Sequence, residues 1–336
     1  MSKLAWCVVA AWLSLSRGLS LGQWDVSLFS PAKVNLFLRV LGKRDDGFHE
    51  LASLFQAIDI GDTLRFRVLP PSAKNDVIEC SIPELETGES NLVTRALKLY
   101  RSKVPSAPFV HCYLEKTLPM EAGLGGGSSN AATTLWAMNE LNAKAATSDE
   151  LREWSAELGS DITFFLGDTG TAYCTGRGEI IESVKPLPRT ELFVVKPLDV
   201  GLSTPLVFKT LAKAGYASLS TRDAKEDLLR VHTSPAGPGP DDFLNDLEPP
   251  AFDIEPKLSD IKQKLQDRFP SGAMMSGSGT ALFAIIDPQQ SADPDLEEFP
   301  GRFRTECLND LGIDLKVWRV AFAQRTETSW FPPPPQ

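Results

Sequence analysis

One unbroken run carries the densest chemical signal in this 336-residue chain: Pro119, Met120, Glu121, Ala122, Gly123, Leu124, Gly125, Gly126, Gly127, Ser128 and Ser129. Four glycines let the backbone turn sharply, and the following SNAATTLWAMNELNA puts Ala131, Leu135 and Met138 on one apolar helical face. The loop therefore empties into a helix N-terminus. Orphan N–H groups, the positive end of the helix dipole and two hydroxyls there form a cradle suited to a polyphosphate. The same run also reads as a flexible connector. It is not a Walker A loop, because no Gly-Lys-Ser/Thr ends it, nor G-x-G-x-x-G, because Ser128 stands at the third glycine.

Three further places hold groups able to do chemistry. In VSLFSPAKVNLFLRV, residues 26–40, a strand interrupted by Pro31 puts Val34, Leu36, Leu38 and Val40 on one face and Lys33, Asn35 and Phe37 on the other. The ammonium and amide face a site, or the strand is a solvent-facing edge. Phe48 and His49 follow an Asp45-Asp46-Gly47 turn; the histidine is a structural one, or the pair holds a flat heterocycle. Asp161 sits between Gly159 and an apolar run, where an N-cap is the simplest role, worth about 1 kcal/mol.

The elements that must position these groups read as α+β in two domains with a boundary near residue 190. Strands are expected at 63–68, 109–115, 191–196, 281–286 and 315–323, and helices at 91–101, 148–158 and 256–269, with another opening at Ser203-Thr204-Pro205. Residues 276–279, SGSG, form a second Gly-rich turn. Residues 233–242 read as an exposed, mobile loop and the final FPPPPQ as a tail with no core to join.

Composition narrows the function classes. A net charge of −10 opposes nucleic acid or an anionic membrane as the main partner, and 42% hydrophobic residues suffice for a sizeable core. Cys7, Cys80, Cys112, Cys174 and Cys307 lack C-x-x-C spacing, and three histidines lack metal-ligand spacing, against a disulfide framework or a transition-metal centre. Lys3, the apolar residues 4–15, Gly18 and Ser20 match a secretory signal too short to span a bilayer; the alternative is an imprecise gene start.

SPAKVNLFL, PMEAGLGGGSSNAA and SGSGTALF, in that order, resemble the three signatures of the GHMP kinase superfamily. KRDDGFHELASLF, LGSDITFF, AYCTGRGEI and NDLEPPAF narrow the resemblance to the branch acting on a cytidyl-diphosphate methylerythritol, of plant and algal plastid type. The resemblance implies a two-domain GHMP kinase fold, with a ribosomal protein S5 domain 2-like N-domain and a ferredoxin-like C-domain. It divides the chain into a leader (1–24), an ATP-binding domain (25–190), a C-terminal domain (191–325) and a Pro-rich tail (326–336). It also implies Lys33 and Asp161 as the catalytic pair, residues 119–129 as the ATP-binding loop, and Asn35, Phe48, His49, Thr204 and Phe208 as acceptor-binding residues. Phe48 replaces a tyrosine common in the branch, keeping stacking and losing the phenol.

The implied cofactors are ATP and Mg²⁺, with Ser128 or Ser129 as the metal's protein contact. The implied partners are two small molecules, with no nucleic acid and no stable membrane insertion. The implied compartment is a plastid, reached through the N-terminal signal. Another GHMP kinase acting on mevalonate or homoserine is the nearest alternative; a non-catalytic binding protein and an RNA-binding protein are more distant ones.

Overall fold

The computed structural model describes residues 24–214, 229–234 and 238–333. All but the last residue of the expected leader therefore lies outside the described residues, as do the centre of the 233–242 loop and the last three residues.

A long hairpin organises the first sheet. Strand β1 (Val26–Lys43) pairs antiparallel with β2 (His49–Val68), and the turn between them is fixed by Gly47 at φ 85° and by the Phe48 N–H donating to Asp46 Oδ1. Pro31 lacks an N–H, and the ladder accommodates it by a register shift between Pro31 and Ala32 rather than by breaking the strand. Gly61 faces this point, and a Cβ there would lie 2.1 Å from the Ser30 carbonyl oxygen. The short strand expected at 63–68 is thus only the end of a 20-residue strand.

On its other edge β2 pairs with β4 (Val110–Glu115) and β5 (Thr171–Gly176); β3 (Val77–Cys80) adds to β4 and β6 (Ile180–Ser183) to β5. Four helices belong to this half: α1 (Leu92–Lys103), α2 (Gly126–Leu141), α3 (Ser148–Ala156) and α4 (Ile162–Phe165). Asn91 caps α1, and Thr147 with Glu150 forms a capping box on α3. Helix α2 is buried almost all round from Ser129 to Asn139, which fixes the Gly-rich loop at its head to the densest part of the core.

The second sheet contains β7 (Glu191–Pro197), β8 (Ala273–Met275), β9 (Leu282–Ile285) and β10 (Leu315–Ala321), all antiparallel in the order β10-β7-β9-β8. Fourth, first, third, second is the ferredoxin-like order. Around it lie α5 (Thr204–Ala214), α6 (Arg230–Thr233), α7 (Glu248–Ile254), α8 (Lys257–Arg268) and α9 (Asp295–Leu311). Sequence reading leaves α9 unassigned because Pro300 and three early acids obscure it, yet Leu296, Phe299, Phe303 and Cys307 form its buried stripe at helical spacing. Among the described residues no helix is long and apolar enough to cross a membrane.

Two expectations are corrected. Strand β1 is an edge in its strand pairing, but it does not face solvent: Lys33 N donates to Leu124 O, Leu38 N to Leu244 O, and Asp246 N to Leu38 O, so segments from both halves cover the free edge. Val34, Leu54, Leu118, Leu192, Val194 and Phe283 share one core across the two sheets. The C-terminal residues likewise join a core. From β10 the chain returns to the first sheet, Ala323 N donating to Ala57 O, and Trp330 and Phe331 are buried beside Trp136. The proline run suggested a tail, but Phe331 at its head and Trp330 before it bury two adjacent aromatic side chains.

Candidate active site

Lys33 enters the site from β1 with only 4% of its side chain exposed. Its Nζ donates to Asn35 Oδ1 at 2.7 Å, lies 3.7 Å from Asp161 Oδ2, and stands 4.5 Å from the centre of the Phe55 ring. Burial pulls its pKa below the ordinary lysine value, and the Asp161 charge opposes that shift. Asn35 is held in turn: its Nδ2 donates to Ser53 Oγ at 2.8 Å, and Ser53 Oγ to Phe37 O. A register shift between Asn35 and Phe37 ends the shared face; Phe37 turns into the core against Tyr173 and His232.

Asp161 occupies the position before α4 where an N-cap was expected, but its side chain makes no capping bond. The carboxylate faces Lys33 instead, so the capping role is replaced by an ion pair. Phe164 packs edge-on against Phe55, which places α4 directly beneath the lysine.

The Gly-rich loop is clamped from two directions. Gly123 and Gly125 take φ +72° and +68°. A Cβ on Gly123 would meet Ser276 O at 2.2 Å, and one on Gly125 would meet Lys33 Cγ at 3.0 Å and Phe165 Cζ at 3.2 Å. Glycine at 125 is therefore what lets the head of α2 approach the lysine. The second Gly-rich turn closes on the loop: Ser276 Oγ donates to Gly123 O at 3.0 Å and Ala281 N to Ala122 O. Asn245, from NDLEPPAF, donates to both Met275 O and Gly277 O and so fixes that turn. Its role was invisible in the sequence because the two partners are backbone carbonyls some thirty residues later.

Two concavities meet at Glu121, Gly123 and Gly125. One, of about 480 Å³, is lined by Lys33, Asn35, Asp161, Arg177, Thr204 and Phe208 among others. The other, of about 350 Å³, runs along residues 119–128 toward Asn91 and Lys116. The cleft along the loop therefore opens into the cavity that Lys33 and Asp161 line.

Of the two serines, Ser128 lines the second concavity, whereas Ser129 is fully buried and accepts from Ser30 Oγ at 2.9 Å. Ser129 does not reach a ligand in the cleft. It belongs to a network missed in the sequence: Asn130 Nδ2 donates to Ser30 and Asp62, and Asp62 holds Lys116 Nζ at 2.6 Å and the Thr117 and Leu118 N–H groups. This buried carboxylate anchors both ends of the loop.

Of the three predicted aromatic residues only Phe208 lines the larger cavity; His49 reaches it by packing on Phe208, and Phe48 by packing under Arg177. His49 and Phe208 stack on each other with centroids 5.0 Å apart and planes at 22°, so a base enters between them only after Phe208 moves aside. Phe48 is largely exposed, and the Arg177 guanidinium lies 4.9 Å over its ring. Thr204 is tied to the second Gly-rich turn through Ser278 Oγ at 2.7 Å. Arg177 is a second cation on the cavity wall that sequence reading passed over, although it stands in the AYCTGRGEI segment.

Comparison with known proteins identifies the architecture. Residues 91–168 match the GHMP kinases N terminal domain and residues 236–305 the GHMP kinases C terminal model. A 4-diphosphocytidyl-2-C-methyl-D-erythritol kinase of Protochlamydia amoebophila (strain UWE25) is 45% identical over 262 residues, 78% of this chain and 85% of the relative. A relative from Oryza sativa subsp. japonica with the same name, marked chloroplastic, is 41% identical over 92% of this chain and 73% of its own length. A crystal structure of 4-(cytidine 5'-diphospho)-2C-methyl-D-erythritol kinase superposes with a TM-score of 0.68 at 30% identity, covering 88% of this chain and 98% of that one. The clamped Gly-rich loop, the covered β1 edge and this similarity over most of both chains agree: the chain belongs to the 4-diphosphocytidyl-2-C-methyl-D-erythritol kinase family of the GHMP kinases.

Proposed function

We propose that this chain transfers the γ-phosphoryl group of ATP to the 2-hydroxyl of 4-diphosphocytidyl-2-C-methyl-D-erythritol, giving ADP and the 2-phosphate, in the non-mevalonate isoprenoid precursor pathway. The observation that carries the reading is the Lys33–Asp161 pair, 3.7 Å apart, lining the larger cavity where it meets the Gly-rich cleft. Phosphoryl transfer has a loose transition state with charge on its equatorial oxygens, so positioning and electrostatic stabilisation dominate. The loop N–H groups and Lys33 supply positive charge from two sides, and Asp161 accepts or orients the proton of the attacking hydroxyl. A tertiary alcohol is a poor nucleophile and gains from that help.

Phe208, His49 and Phe48 provide the stacking surface for cytosine, Thr204 lies near the acceptor, and Arg177 is suited to its diphosphate. Asn35 acts mainly by orienting Lys33, since both ends of its amide already have partners. Mg²⁺ would supply positive charge against the phosphates, and the Ser128 hydroxyl, a hard oxygen donor lining the cleft, is the protein group that would hold it. Residues 25–190 act as the ATP-binding domain and 191–325 as the C-terminal domain that closes the acceptor site.

An ADP-release assay with the cytidyl acceptor, mevalonate and homoserine in parallel tests the reading. Turnover with the cytidyl acceptor alone supports it, and turnover with only one of the other two overturns it. Plant relatives named as chloroplastic support a plastid location, with residues 1–24 as the import leader. Residues 1–30 fused to a fluorescent protein should direct it to plastids; a cytosolic signal refutes the leader.

A further inference from the structure

Arg325 is 6% exposed and, among the described residues, has no carboxylate within salt-bridge distance. Its guanidinium lies 4.6 Å from the Trp136 ring centre, 5.0 Å from that of Trp330 and 5.8 Å from that of Phe331. Its Nη1 donates at 3.0 Å to the carbonyl of Phe165, the last residue of the helix that Asp161 heads. The contacts thus reach two parts of the site: Trp136 belongs to the helix begun by the Gly-rich loop, and Phe165 packs against Gly125. Trp330 Nε1 donates at 2.6 Å to Phe29 O on β1, the strand that carries Lys33. Gln56 Nε2 donates to Ala323 O at 3.1 Å and ties the start of the segment to β2.

We propose that residues 322–331 form a positioning strap for phosphoryl transfer, in which Arg325 holds the Asp161 helix in register with Lys33 and the Gly-rich loop. The inference rests on the reading of Lys33 and Asp161 as the catalytic pair. Arg325 touches no reacting atom; it acts through Phe165 O on one side and the indole of Trp136 on the other. Burial pushes its pKa down to about 10, a cost that hydrophobic residues of the same volume would not incur. A planar fork stacked between rings sets an angle as well as a distance, which lysine does not do.

The test is Arg325→Gln, read by steady-state kinetics and by hydrogen exchange. A small misplacement of a catalytic group costs up to about 100-fold in rate. The expected result is kcat reduced about 10- to 100-fold with both KM values within about threefold, and faster exchange confined to peptides covering residues 124–130 and 160–166. Arg325→Lys should recover part of the lost kcat. A folded Arg325→Gln enzyme with wild-type kcat and exchange, or faster exchange spread evenly over both sheets, overturns the proposal. If Arg325→Gln does not fold, Trp330→Phe, which keeps a ring and removes the donor to Phe29 O, carries the test: faster exchange over residues 26–35 with lowered kcat supports the strap, and wild-type values refute it. Exchange needs no turnover, so an acceptor that wild-type enzyme ignores would sink the proposed reaction while leaving this experiment readable.

Discussion

Lys33→Met separates the catalytic role of this lysine from its effect on the fold. At 3.7 Å and an effective dielectric near 20, unit charges interact by about 4 kcal/mol, a ceiling on what one cation supplies to a neighbouring anion here. Each 1.36 kcal/mol is tenfold in rate, so that ceiling is about a thousandfold. Only charge that develops between bound ATP and the transition state counts toward kcat, which brings the expected fall to about 30- to 1,000-fold. The stability change should be small or favourable. Folding lowers the lysine pKa through burial, so the folded state binds fewer protons between its lowered value and the ordinary 10.5. The desolvation cost is full below the lowered value and is relieved as pH rises toward 10.5. Methionine removes that cost, Asp161 keeps partial solvent contact, and the Asn35 amide stays held through its Nδ2 bond to Ser53 Oγ. Coupled ADP release at saturating substrates and a thermal melt near neutral pH read both quantities. A kcat within threefold of wild type refutes the electrostatic argument. A Tm fall of more than about 5 °C refutes the claim that the ammonium is held against a folding cost. Wild-type kcat should also decline on the alkaline side at a lower pH than an exposed lysine would give.

Three further substitutions probe separate parts of the site. Asp161→Asn should lower kcat about 10²- to 10⁴-fold and lower Tm by several degrees, since buried Lys33 loses its counter-charge; near-full turnover at saturation rejects it as the proton acceptor. Gly123→Ala places a methyl 2.2 Å from the Ser276 carbonyl at φ +72°, so a Tm drop of about 5 °C or more is expected, and an unchanged melt shows that the two Gly-rich segments are not in contact. Phe208→Ala should raise KM for the cytidyl acceptor at least tenfold and leave KM for ATP alone; equal changes in both refute a base-stacking role.

The ingredients of the site were legible in the sequence, and their joins were not. Lys33 and Asn35 read as one polar face because period two holds locally, yet the same rule sends Phe37 to that face, where an irregularity in the β1–β2 ladder overrides it. Asp161 read as a cap because local sequence knows only its neighbours; the lysine it faces is over a hundred positions earlier. Of the 20-residue β2 only residues 63–68 were expected as a strand. In the fold Gly61 makes room for a carbonyl and Asp62 anchors the Gly-rich loop from behind. The His49–Phe208 stack joins residues from different domains, and no periodicity could have reported it.

The strap from β10 back to β2 also bears on how the chain is made. Ala323 bonds to Ala57 and Trp330 to Phe29, so the first sheet and its aromatic core are completed by a segment synthesised long after them. At roughly 5–20 residues per second, the ~140 residues between the end of the first domain and Phe331 take about 7–30 s to synthesise. For that interval the N-terminal half lacks the Trp330 indole and the Arg325 guanidinium that pack on Trp136. Bonds between groups 267 and 301 positions apart in sequence close this segment onto the sheet, and contacts that distant slow the final docking.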